Sequence, residues 1–410
     1  MRTYIVPGRI ELVGKHVDYA GGRSLTCAVD LAITARANPL NPPVIRVTAA
    51  GRRGRVEIPL SAAAAASGPP WSSYVAAVAR RFARDFPEAR RGLDLRLRSD
   101  LPPSAGLSSS SAIIVAIAWA LADVNEMDAS ARWRELIPSA IARAEYFAAM
   151  ETGAPYGPFA GDAGVGVRGG AQDPIAILCA EANSVGQFSY LPARLERRVP
   201  WPDGWVIVVG VSGIRATKTG NAREDYNRAA DATRALVGAW NASTGRNDLT
   251  LADALASGPD ARTTLQREAE KGVGDFSADY LVPRLAQYRE EVEVIVPGVG
   301  DALRDQDFTA LGQLVDRSQE MAERALRNQV PETIHLAQSA REGGAVAASA
   351  FGAGFGGAVW AMVRASDAES FQEKWRAGYE KAFPDCATTA RWLITKPSAP
   401  ALQLPRSSAA

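Results

Sequence analysis

The chain is poor in the residues that build metal centres and covalent cross-links. It holds 3 cysteines and 2 histidines in 410 residues. Cys27, Cys179 and Cys386 are scattered among apolar neighbours, so they form neither a zinc spacing nor a disulfide framework, and a reducing compartment is expected. Excess charge is also missing: 46 Lys and Arg stand against 45 Asp and Glu, a net charge of +1. That balance argues against nucleic acid or an anionic membrane as the main partner. Long apolar runs are scarce. Residues 112–122 are about half the length that crosses a bilayer. Residues 343–363 are long enough and uncharged but crowded with glycine and alanine, which fits turns between strands better than a span. The polar stretch from Pro7 leaves no room for a secretory leader, and a cytoplasmic setting is expected.

What is present is ordinary globular composition, 47% apolar and 22% charged, in a chain too long for one hydrophobic core. Two domains are expected. Residues 1–195 mix strand patterns (10–13, 25–35, 44–47, 93–97, 175–179) with helical ones (71–86, 111–124, 133–150). Residues 196–397 are mostly helical (222–240, 281–294, 308–326, 332–342), with strands at 205–211, 358–363 and 390–394. The last stretch, 398–410, is rich in Pro, Ser and Ala and is expected to be a disordered tail.

Four segments carry chemistry. In the first, a strand-like 10–13 delivers Arg9, Lys15, His16 and Asp18 into a glycine-rich turn. In the second, Ser104, Gly106, Leu107 and Ser108 to Ser111 run directly into a helix. A helix N-terminus offers unpaired amides and partial positive charge suited to phosphate, and Gly106 permits close approach. The plain alternative is a serine cap, which needs only one of the four consecutive serines. In the third, Asp173 follows Gly169-Gly170 and precedes an apolar run; the alternative is a turn aspartate, and Asp162 competes with it. The fourth, 350–359, is glycine-rich and reads as a tight hairpin or as backbone packed against a ligand loop. A Gly213 to Thr219 segment lacks the glycine before its lysine and is not a P-loop.

Taken together, these segments resemble the motifs of the GHMP small-molecule kinases, of galactokinase-like type. Residues 7–22 resemble the galactokinase sugar signature. Pro102 to Ala112 resembles Pro-x-x-x-Gly-Leu-Ser-Ser-Ser-Ala, and 350–357 resembles Thr-Gly-Gly-Gly-Phe-Gly-Gly with Ala350, Phe351 and Ala353 departing. Trp71-Ser72-Ser73-Tyr74-Val75 and Val330-Pro331-Glu332 match further landmarks, so the likeness runs from Pro7 to about Lys396. It implies an α+β two-domain GHMP kinase fold: a ribosomal S5 domain 2-like N-terminal half, a helix-rich α/β-sandwich C-terminal half, and the active site between them. It implies ATP and Mg²⁺, with the serine loop (Ser104, Gly106, Leu107, Ser108, Ser109, Ser110, Ser111) on the phosphates and Ser110 and Glu145 on the metal. Asp173 and Arg9 take the catalytic positions. His16, Asp18, Gly170 and Tyr226 fall on the sugar.

Lys15 departs from the galactokinase pattern, which has a glutamate holding the hydroxymethyl end of the sugar. A lysine there either pairs with a substrate carboxylate, as on a uronic acid, or pairs internally with Glu11, itself at a usual asparagine position. The expected activity is phosphoryl transfer from ATP to a monosaccharide hydroxyl, the anomeric one, with galactose a poor substrate. The rival readings are a uronic-acid 1-kinase and a catalytically silent sugar-binding regulatory paralogue. A serine hydrolase lacks a triad. A monomer or homodimer is expected.

Overall fold

The computed structural model describes residues 1–51, 54–102, 105–214 and 221–405, with side chains from 224 onward in the last stretch. The fold starts from a long hairpin. Strand β1 (Arg2–Val13) pairs antiparallel with β2 (Arg23–Leu40), with register shifts between Pro7 and Arg9 and between Glu11 and Val13. Such bulges re-aim the side chains that follow them. Between the two shifts the alternation holds, so Arg9 and Glu11 share one face while Ile10 and Leu12 enter the core.

The first sheet runs β12 (Leu402–Leu404), β1, β2, β5 (Gly92–Ser99), β3 (Val44–Ala49), β4 (Val56–Pro59), and β6 (Ser184–Ser189) joins β2 and then β7 (Arg194–Pro200). Helices α1 (Ser72–Asp85), α2 (Ser109–Val124), α3 (Ala131–Leu136), α4 (Ala140–Thr152) and α5 (Gln172–Leu178) accompany it. Helix α2 is apolar nearly all round and lies buried against the sheet, α1 and α4, as such a helix must. The second sheet is antiparallel, β11 (Arg391–Thr395), β8 (Trp205–Val211), β10 (Ala358–Arg364), β9 (Ala347–Phe351). The second half also contains helices α6 (Asn221–Thr244), α7 (Leu251–Ala256), α8 (Ala261–Lys271), α9 (Ala278–Glu290), α10 (Val296–Asp305), α11 (Phe308–Met321), α12 (Pro331–Glu342) and α13 (Ala368–Ala382). Helices α6 to α9 enclose a separate core around Leu236, Leu265, Leu281 and Tyr288, and this core takes in Val17, Tyr19 and Ala20 from the β1–β2 turn. The two sheets meet where buried Trp360 donates Nε1–H to the Leu12 carbonyl at 3.2 Å.

Several expectations are corrected. The helix expected over 133–150 is two, because Pro138 cannot continue the hydrogen-bond ladder and Ser139 caps a fresh start by accepting from Ala142 N at 3.1 Å. The strand expected at 175–179 is helix α5, a short apolar run whose period cannot separate the two states. The boundary at 195 falls inside β7, which stays in the first sheet to Pro200. The tail is not disordered through 398–404: Ser398 N donates to the Ala28 carbonyl, Ala401 N to the Ile177 carbonyl, and β12 pairs with β1. Residues 343–363 form β9, a turn and β10, and among the described residues no helix is long and apolar enough to cross a membrane. A chain ending at Pro397 is expected to melt roughly 2–4 °C lower than the full chain by scanning fluorimetry; an unchanged melting temperature contradicts a stabilising β12.

Candidate active site

Arg9 is the fixed point of the cleft. It is buried on β1 beside the serine loop, and Gly8 before it leaves no room for a side chain, since a Cβ there would lie 2.8 Å from the Leu107 carbonyl. Arg9 Nε donates to Asp173 Oδ1 at 2.7 Å, and its Nη1 donates to the Gly106 carbonyl. Burial works against the guanidinium charge, but the Asp173 and Glu11 carboxylates outweigh it and leave the arginine more firmly protonated than usual. Asp173 stands in the first turn of α5, where a carboxylate meets the positive end of the helix. Its other oxygen, Oδ2, accepts from Ser108 Oγ at 2.6 Å and lies 3.4 Å from Ser111 Oγ.

The serine loop reaches α2 through two left-handed residues, Gly106 (φ +72°) and Ser108 (φ +58°). Ser109 and Ser110 line the cleft from the first turn. Ser111 Oγ donates to Glu151 Oε2 at 2.6 Å. Ser104 lies outside the described residues, and so does Gly213 to Thr219 from position 215 onward. Leu107 is buried with its carbonyl accepting from Arg9 N, so it supports the loop and does not line the cleft.

Of the two residues placed on the metal from the sequence, the structure brings one, Ser110, to the cleft. Glu145 does not line the cleft; its Oε1 accepts from Ala193 N at 2.8 Å, and burial raises its pKa. Glu151, later on the same helix α4, does line it. Six positions at about 3.6 residues per turn place them roughly 240° apart around the axis, on different faces. The serine bonded to the site's glutamate is Ser111, one position after Ser110. Among the described residues no three His, Cys, Asp or Glu cluster as a metal site. The Ser111 hydroxyl and Glu151 carboxylate are nonetheless hard oxygen donors that line the cleft together. That set fits Mg²⁺, which keeps few protein ligands and completes its shell with phosphate and water.

A second part of the cleft is built by the 14–20 loop, α6 and the loop before α5. Asp18 is pressed against Gly170, where a Cβ would meet its Oδ2 at 2.4 Å, and accepts from Tyr19 N (2.9 Å) and Gln172 N (3.3 Å). Burial and then the Asp173 charge push its pKa up to about 6. Glu11, absent from the expected set, also lines the cleft; it accepts from Gln172 Nε2 at 2.7 Å, and burial pushes it up to about 7. Its place two residues from Arg9 on a strand was the available signal. Tyr226 faces His16 with ring centroids 5.2 Å apart. His16 lines the cleft, yet its Nδ1 meets Tyr19 Oη at 3.0 Å and its Nε2 the Ala353 carbonyl at 3.1 Å. Both ring nitrogens therefore bind protein, and the histidine joins the 14–20 loop to the glycine-rich turn of 352–357.

Lys15 does not reach the cleft. It is buried, its Nζ donates to Ser318 Oγ at 2.6 Å, and Ser318 Oγ donates to Glu291 at 2.8 Å. Burial lowers its pKa against the opposing pull of Glu291 and Glu11. The whole cavity holds about 550 Å³, bounded at its other end by Trp71, Tyr74 and Ile113.

This geometry agrees with what the chain is similar to. Residues 73–155 match the GHMP kinases N terminal domain, residues 301–381 the GHMP kinases C terminal model, and residues 2–39 the galactokinase galactose-binding signature. The galactokinase of Chloroflexus aggregans is 27% identical over 386 residues, covering 91% of this chain and 86% of its own length. Lactococcus lactis galactokinase complexed with galactose shares the fold at a TM-score of 0.78 and 20% identity, over 98% of this chain and 95% of that one. L. major mevalonate kinase does so at 0.56 and 15%, over 97% and 96%. The chain carries the GHMP kinase N- and C-terminal domains and is galactokinase-like, an ATP-dependent phosphotransferase whose acceptor is an alcohol group.

Proposed function

We propose that the chain phosphorylates the anomeric hydroxyl of a monosaccharide other than galactose. The observation that carries this reading is the convergence of Arg9, Ser108 and Asp173 beside Ser111 and Glu151 in one cleft. The α2 amides and Ser109 to Ser111 receive the triphosphate, and Trp71, Tyr74 and Ile113 give an apolar wall for the purine. Asp173, paired with Arg9, accepts the hydrogen of the acceptor hydroxyl and takes its proton as the new O–P bond forms and the bond from the γ-phosphorus to the departing ADP oxygen breaks. Arg9 offsets charge on the transferring group. Mg²⁺ held by Glu151 and Ser111 would supply further charge neutralisation at the phosphates.

Two observations define the sugar. Position 15, where the galactokinase pattern has a glutamate, offers no acceptor because Lys15 turns into the protein. The same turn removes the one feature that favoured a uronic acid. The cleft is lined by Glu11, Asp18, Glu151 and Asp173, and its Arg9 is tied to Asp173. A second carboxylate from substrate would meet repulsion there. The substrate class is a neutral monosaccharide, read by Asp18 and Tyr226 through directional hydrogen bonds, in a cytoplasmic setting that supplies ATP.

A phosphorylation panel of neutral hexoses, pentoses, uronic acids and galactose, read by ADP release with product identification, tests this. Turnover of a neutral non-galactose sugar to its 1-phosphate is expected. Robust galactose turnover with a low KM rejects the specificity, and no transfer across the panel favours a silent regulatory protein. Asp173→Asn is expected to lower kcat about 10²–10⁴-fold with ATP affinity by calorimetry within about threefold; full activity removes Asp173 from the chemistry. Glu151→Gln should raise the half-saturating Mg²⁺ concentration by about tenfold or more, and Glu145→Gln should leave it unchanged. The opposite ranking would restore Glu145.

A further inference from the structure

The turn that carries Asp18 is held from behind by one face of a helix in the other half of the chain. Arg284, Gln287 and Tyr288 on α9 and Glu291, which opens the π-helical turn Glu291–Ile295, stand at i, i+3, i+4 and i+7. That spacing puts them on one stripe. All four are buried, and each bonds the backbone of the turn. Arg284 Nη2 donates to the His16 carbonyl at 2.5 Å, Gln287 Nε2 to the Lys15 carbonyl at 3.1 Å, and Tyr288 Oη to the Ala20 carbonyl at 2.9 Å. Glu291 Oε1 accepts from Gly14 N at 2.6 Å and Lys15 N at 3.3 Å.

The turn needs such support. Gly14 has φ +105° and His16 φ +57°, and the left-handed region is strained for a non-glycine residue. Such a conformation persists only where its surroundings over-determine it. Arg284 itself is unusual. Its guanidinium is fully buried and donates to a side-chain amide, a carbonyl and the Tyr19 hydroxyl at 3.2 Å, none of them a carboxylate. A buried cation with neutral partners is costly, which is hard to explain by stability alone. It has a use here: the Tyr19 hydroxyl, receiving from Arg284, can give its own hydrogen to His16 Nδ1. That leaves Nε2–H to donate to Ala353 and holds the ring against Tyr226.

We infer that Arg284, with Gln287, Tyr288 and Glu291, is a positioning residue for sugar recognition: it sets the strained 14–20 turn, and through Tyr19 the His16 ring, in the geometry that presents Asp18 to the acceptor. Lys15 belongs to the same device, since its bond to Ser318 fastens the turn to α11 as well. The inference rests on the proposed sugar-kinase reading only for its kinetic consequence. The mechanical part stands on the bonds alone.

The test uses the full chain and two variants, Arg284→Lys and the milder Tyr288→Phe, with two readouts. In amide hydrogen exchange, peptides covering residues 12–22 of Arg284→Lys are expected to exchange at least tenfold faster, while peptides of α2 and α5 keep wild-type rates. In kinetics on the best sugar of the panel, Arg284→Lys is expected to raise the sugar KM tenfold or more with the ATP KM within twofold, and Tyr288→Phe to do so a few-fold. Exchange that is unchanged, or faster evenly across the molecule, overturns the inference, as does a parallel rise of both KM values. If the wild type phosphorylates no sugar, the functional reading fails by itself, and the exchange result still decides whether the stripe holds the turn.

Discussion

The ion pair between Arg9 and Asp173 is the interaction on which the cleft depends. It joins β1, at the start of the chain, to α5, and the same two side chains gather Gly106 and Ser108 of the serine loop. Pairs of this kind contribute little net stability relative to an apolar replacement, but removing one partner strands a charge at a cost of about 3–5 kcal/mol. The pair therefore specifies geometry more than it stabilises. Three segments distant in sequence must sit correctly for it to form, and once formed it sets a carboxylate at the N-terminus of α2.

Charge follows from that centre. Glu11, Asp18, Glu151 and Asp173 surround a cavity whose arginine is already engaged. Without ligand the cleft is electronegative, and burial answers by raising Glu11 to about 7 and Asp18 to about 6. A carboxyl that is protonated near neutrality can donate to a sugar hydroxyl as well as accept from it. The electrostatics thus suit the proposed neutral polyol and nucleotide, with Glu151 a carboxylate available to a cation.

Much of this was legible in the chain because the constraints are local. A strand period carries Arg9, a glycine and serines before a helix make an anion site, and Gly169-Gly170 before Asp173 permits a close approach to Asp18. Other readings failed for identifiable reasons. Glu145 and Glu151 lie on one helix, and choosing between them requires the rotation of that helix about its axis, which Pro138 and Ser139 set by restarting it. Lys15 looked like a reader of substrate because its neighbours are. A side chain that long follows whichever partner lies within reach, and Ser318 and Glu291 arrive from helices far along the chain. His16 was placed in the right loop, but its nitrogens are taken by Tyr19 and Ala353.

The closing residues illustrate the same division. Composition alone suggests disorder at 398–405, yet an open edge on β1 accepts Leu402–Leu404 as a strand, and an unpaired edge is not visible from the segment that fills it. By itself, the order of residues determined which loops line the cleft, since turn chemistry and helix ends are written within a few neighbouring positions. Which carboxylate faces the cleft, where the lysine points and what holds the strained turn were decided only when α4, α9 and α11 packed around them. Those choices depend on contacts between segments from 40 to 303 residues apart, and short-range preference carries no information about such contacts.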